Sequence, residues 1–252
     1  MFNYIHADYK RILTRRPHIV LMILFEAIFV GYILHAWSKA AGNFTSVSFL
    51  SSANTFFGFW FQFVVCLVVF IQTFNFDFRA KTIQVALGIG VSRLKVILSK
   101  LIQVVLVMLT DFIVTLVVLY ILSFVMGIYL NFQQVSYLFL TGMGVITLVS
   151  CSIALLMPLI FRTQNMVLAL IGYFILVPGF HSSLVRMLTY LSPDSLKNLQ
   201  LDRYFHDSCI NLLSTNAIQG AFQLWPLIGT IAWFALGIYL TWLAFRKMEL
   251  DF

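Results

Sequence analysis

Two carboxylates interrupt otherwise apolar runs, Glu26 within 19–37 and Asp111 within 101–126. A carboxylate at the centre of a bilayer costs at least about 2.5–3.5 kcal/mol, so it faces protein or water and often marks function. Either the two acids line a path that attracts a cationic substrate or pair with each other, or each is a protonated or hydrogen-bonded acid that locks helices together. Phe57 and Trp60 belong to an aromatic group, 56–63, read as the top of the second apolar run. That group suits a greasy groove for a lipid-like or peptide substrate, or an interfacial belt. Glu26, Asp111, Phe57 and Trp60 are therefore the candidate substrate path. The remaining chemistry is sparse. His6, His18, His35, His181 and His206 show no ligand spacing, and H-E-x-x-H is absent. The chain has neither a G-x-x-x-x-G-K-[ST] phosphate loop nor a G-x-S-x-G nucleophile setting. The expectation is no catalytic residue, no cofactor-binding residue and no metal ligand.

The elements that position these residues are membrane helices. The 252 residues are 61% apolar and 10% charged, against roughly 45–50% and 25% in soluble domains. A water-soluble fold has no interior large enough for that apolar content, which excludes a cytosolic enzyme, a secreted domain and a disordered chain. The apolar runs are continuous, not the alternating segments of about ten residues found in a transmembrane β-barrel. The net charge of +7 fits cytoplasmic loops beside anionic lipid, with no nucleic-acid partner expected. Cys66, Cys151 and Cys209 suggest no disulfide framework.

A spanning helix needs about 20 apolar residues. The runs 19–37, 55–76, 101–126, 135–161 and 225–245 qualify. A sixth, 166–180, covers only about 22 Å at ~1.5 Å per residue, short of the ~30 Å hydrocarbon core. Its Val177-Pro178-Gly179 favours a break, and continuing through Leu184 as a kinked helix completes the crossing. Six spans with a cytoplasmic N-terminus put most Lys and Arg inside, leaving Lys39, Arg186, Lys197 and Arg203 outside. Both termini then face the cytoplasm of a plasma membrane. Residues 1–17 set Phe2, Ile5, Tyr9, Ile12 and Leu13 on one helical stripe, with Asp8, Lys10, Arg11 and Arg15 off it. Such a segment lies along the inner surface and turns at Pro17 into the first span. Residues 185–224 form the longest polar stretch, an outer loop with short helices dipping back.

The most informative stretch is the second cytoplasmic loop, 77–100. Alternating charge (Asp77, Arg79, Lys81) precedes a short helix that begins near Thr82 and ends at Gly88 and Gly90. Ser92 then caps a new helix through Lys100 into the third span. Asp77, Arg79, Thr82-Ile83, Leu87, Gly90, Ser92-Arg93 and Lys100 resemble the coupling-helix region of the ABC-2 family of ABC-transporter permeases. The surface helix at 1–17, the broken region after the fifth span and the short basic tail 245–249 are similar too. The match is closest to small permeases that export, or give immunity to, lantibiotics, bacteriocins and other amphipathic peptides. One departure is Lys81, where relatives often have Gly before the threonine.

The resemblance implies an all-α integral membrane permease, a single domain over 1–252. It implies six transmembrane helices, an interfacial helix, a coupling helix between spans two and three, and a broken or re-entrant region between spans five and six. It further implies that Arg79, Thr82, Ile83, Gln84, Leu87, Gly88, Gly90, Ser92 and Arg93 contact an ATPase subunit. Two ATPase subunits would bind ATP and Mg, a second permease chain, identical or paralogous, would complete the pump, and lipids would surround it. The cargo would be an amphipathic peptide, ahead of a lipid or hydrophobic drug. The rival readings are an intramembrane enzyme, either a protease or a lipid-modifying transferase, and a secondary transporter.

Overall fold

The computed structural model describes residues 2–40, 44–79, 82–88, 90–190, 201–221 and 223–246. They are helical almost throughout, with no strand among them. Among the described residues five helices are long and apolar enough to cross a membrane, and a sixth if one bent pair is counted as a span. The chain is an all-α membrane protein. It divides into two compact units, Met1–Thr73 with Ile102–Ile146, and Phe74–Leu101 with Thr147–Phe252.

In the first unit α1 (Phe2–Leu13) is amphipathic as expected, with Ile5 and Ile12 buried. Asp8 lies on the same buried face, not off it, and reaches Arg11 at 3.1 Å. The i, i+3 pairing on one helix lets the acid turn inward. Tyr9 hydrogen-bonds Thr110 at 2.8 Å. Arg15 is extended, and α2 (Arg16–Lys39) starts with Pro17 in its first turn, where a missing N–H costs nothing.

The next apolar segment begins nine residues before the expected start at 55. The Thr45 hydroxyl accepts from Ser48 N, so α3 (Ser46–Phe56) starts there. It continues as a π-helix over Phe57–Cys66 and then as α4 (Leu67–Arg79). The aromatic group therefore sits well inside this helix, not at its top. Phe57 is fully buried among Phe29, Phe61 and Phe112, at centroid distances of 5.9, 6.0 and 5.5 Å. Trp60 is 46% exposed and packs against Phe56 and Phe59. The small residue Gly142 admits the Phe112 ring, which occupies the place a Cβ would take.

After α5 (Thr82–Gly88), α6 runs unbroken from Arg93 to Val125 and α7 from Phe132 to Thr163. The Asn165 side chain caps α8 (Met166–Leu176) by accepting from Val167 N and Leu168 N. The Pro178-Gly179 break is a bend of 52° into α9 (Phe180–Tyr190), with Gly179 at φ +71. A 3-10 turn (Leu201–Tyr204) leads to α10 (His206–Ile218), and α11 (Leu224–Arg246) ends the description. Within the second unit α10 folds back on α7 and α11: Ile210 packs with Leu148, Cys151, Trp233 and Phe234. Gly237 brings α11 so near α7 that an added Cβ would lie 2.7 Å from the Ala154 backbone. The part of the expected outer loop at 191–200, with Pro193 and Lys197, lies outside the described residues, as do Lys81 and the tail after Arg246.

Candidate functional site

The loop expected to meet an ATPase has the local form that its residues dictate. Helix α5 ends at Gly88, and Gly90 takes φ +88, a left-handed conformation that glycine alone adopts cheaply. Gly90 N donates to Leu87 O at 3.0 Å, closing the turn. Ser92 sits just before α6, its carbonyl accepting from Val96 N. Ile83 is buried, Gln84 and Leu87 are half-buried, and Gly88, Gly90 and Ser92 are exposed. The side chains of Arg79 and Thr82 lie outside the described residues, although both positions are helical. Arg93 does more than its sequence position announces. Its guanidinium donates to Arg246 O at 2.8 Å and lies 5.7 Å from the Phe245 ring centroid. Within the second unit the first turn of α6 thus meets the C-terminal turn of α11. Phe245 in turn stacks on Phe161 at 4.8 Å.

Glu26 and Asp111 join one network in the first unit. His18 Nε2 meets Asp111 Oδ1 at 3.1 Å, both side chains being buried. The Thr115 hydroxyl donates to Glu26 Oε1 at 2.5 Å and lies 3.0 Å from Asp111 O. The acids are linked through Thr115, one turn along α6, and do not touch directly. Each acid is held by a side chain on the facing helix, α2 or α6, which is how polar groups tie helices together in lipid.

A third constellation lies in the second unit, with no spacing signal to announce it. His181 on α9 and His206 and Asp207 at the start of α10 each direct one possible ligand atom into a space where all three lie within 4.8 Å of one another. The expectation that the histidines form no ligand cluster is corrected for these two. A 25-residue separation concealed them. They meet because α9 leaves the bend at Gly179 while α10 folds back beside it. The two imidazoles stack at 4.8 Å with an 8° interplanar angle. The Ser182 hydroxyl donates to Asp207 Oδ2, and Asp207 Oδ1 stands 3.4 Å from His181 Nε2. Ser152 Oγ donates to Leu148 O at 2.9 Å and is 2.9 Å from His206 Nε2. A hydroxyl has one proton. With that proton on the Leu148 carbonyl, His206 Nε2–H is the donor to Ser152, and Nδ1 keeps the lone pair. Burial, reinforced by the neighbouring His181 and opposed by Asp207, pushes the His206 imidazole down to about 4, so the ring is neutral at pH 7. Gly179 makes the space, since a Cβ there would lie 2.5 Å from Asp207 Oδ2. The one readable signal for this cluster was the Pro-Gly break itself.

No protein-family model matches the chain, and no curated protein matches it.

Proposed function

We propose that this chain is the membrane subunit of an ATP-driven exporter of the ABC-2 kind. A separate ATPase would seat the short helix α5, and a second permease chain would complete the translocation route. The observation that carries the reading is the sequence of short helix, left-handed glycine turn and unbroken 33-residue helix from Thr82 to Val125. A push on α5 is delivered to a helix with no joint between Arg93 and the far end of its span. Arg93 adds a second support through Arg246 and Phe245. If α6 enters the bilayer and α11 leaves it on one side, an even number of crossings separates them. The bent α8–α9 pair then counts as a span, giving six. Lys10, Arg11, Arg15, Arg93, Lys95 and Arg246 argue that this side is the cytoplasm. An amphipathic peptide remains the preferred cargo, ahead of a lipid or hydrophobic drug, entering laterally from either leaflet of the plasma membrane.

The test is co-purification with an ATP-binding-cassette protein encoded beside this one, followed by cross-linking. Gln84→Cys is expected to cross-link to the ATPase only when both chains are present. Gly90→Ala, which forces a side chain into the left-handed region at a cost of about 1–2 kcal/mol, is expected to lower coupled transport while leaving the chain inserted. Absence of an ATPase partner, together with unchanged transport in Gly90→Ala and Arg93→Ala, would remove the reading.

A further inference from the structure

The His181, His206 and Asp207 cluster has no part in the pump cycle outlined above, and its geometry points to a ligand of its own. We propose that these three side chains bind one divalent transition cation of the zinc class. Two imidazoles and one carboxylate form a donor set that suits such ions, with the fourth position left for water or an incoming group.

Three independent features support this assignment. The first is convergence. Zinc–ligand distances of about 2.0–2.1 Å in a tetrahedron place neighbouring ligand atoms ~3.3 Å apart. Asp207 Oδ1 and His181 Nε2 already stand 3.4 Å apart and the whole set spans 4.8 Å; binding then turns one imidazole out of the stack, since the ion lies in the plane of each ring.

The second is unmet bonding. Asp207 Oδ1 and both ring nitrogens of His181 are buried without a hydrogen-bond partner. Asp207 as a whole is 7% exposed. Buried atoms without partners also occur in the His18, Glu26 and Asp111 network, but only here among the three-residue groups of the described residues do they converge on one space. A cation satisfies the carboxylate oxygen and one imidazole nitrogen together.

The third is the surrounding shell. Metal-binding side chains are typically oriented by a second hydrogen bond on their other polar atom. Ser182 holds Asp207 by Oδ2, leaving Oδ1 for the ion. Ser152 holds His206 by Nε2, leaving the Nδ1 lone pair. Two ligands thus already present the atom a cation needs. The missing Cβ of Gly179, at the bend, leaves room for Asp207. The ion therefore clamps the bent α8–α9 pair to the start of α10.

The experiment uses the tag-free full chain in lipid nanodiscs, stripped with EDTA and titrated with Zn2+ by calorimetry and with Co2+ by visible absorbance. One ion per chain is expected, with cobalt ligand-field bands of four- or five-coordinate intensity. His181→Ala and His206→Ala are expected to weaken Zn2+ binding at least about 100-fold and Ser152→Ala about tenfold, as losses of ligand and supporting shell do. His35→Ala is expected to bind as wild type does. Wild-type protein that takes up no more Zn2+ than the His181→Ala/His206→Ala double variant overturns the proposal. If the double variant elutes as misfolded protein, the wild-type cobalt spectrum decides alone: ligand-field bands support the site, and their absence overturns it. Neither readout uses an ATPase, so failure of the cation site and failure of the exporter reading are separately visible.

Discussion

The two units each bring histidine to aspartate, but they arrange the meeting differently. In the first, His18, Asp111, Thr115 and Glu26 form a ladder, each rung joining α2 to α6 through one hydrogen bond and the rungs linked along α6 from Thr115 to Asp111 O. In the second, His181, His206 and Asp207 point into one small space, with serines holding the outer atoms of His206 and Asp207. A ladder gives each group a single partner across the helix pair, with His18 Nδ1, Glu26 Oε2 and Asp111 Oδ2 not converging on one space, and so works as adhesive between helices. A ring of convergent donors leaves atoms facing one another with nothing between them. Identical residue types thus serve cohesion in one place and present a ligand set in the other, and the arrangement alone decides which.

This contrast is open to direct attack. The largest effect is expected from Asp111→Ala, which leaves His18 buried without its acceptor. Thermal unfolding in detergent should show a loss of about 3 kcal/mol, identical with and without EDTA because the ladder holds no ion. A chelator-dependent loss there would erase the distinction. Next, Gly179→Ala imposes backbone strain at φ +71 and displaces Asp207. It should cost about 1–3 kcal/mol and, unlike Asp111→Ala, abolish the stabilisation that added Zn2+ gives. Thr115→Val removes the donor to Glu26 while keeping shape, and about 1 kcal/mol of stability should go with it. Smallest is Ser152→Ala in metal-free protein, about 0.6 kcal/mol by the same unfolding measurement; its larger consequence should appear in metal affinity.

Much of the fold was readable because lipid imposes one simple rule, that long apolar runs become helices. The Val177-Pro178-Gly179 break, the start of α5 at Thr82 and the end of its turn at Gly90 followed from proline, threonine and glycine chemistry local to each. Glu26 and Asp111 were legible as a pair of interest, since charge within an apolar run is conspicuous. What escaped was whatever depends on partners distant in sequence. Nothing near His18 announces Asp111, nothing near Arg93 announces Arg246, and His206 lies 25 residues beyond His181. The early start at Ser46 was missed for a different reason. Serines and an asparagine lower the apolar signal over 46–54, yet Thr45 caps the helix regardless.

The hydrogen at Gly237 has a consequence for movement. With backbone nearly touching backbone beside Ala154, α7 and α11 have no cushion of side chains through which to slip at that level. Any rearrangement of the second unit is expected to carry these two helices together as a single plank, hinging at its ends and not along its seam.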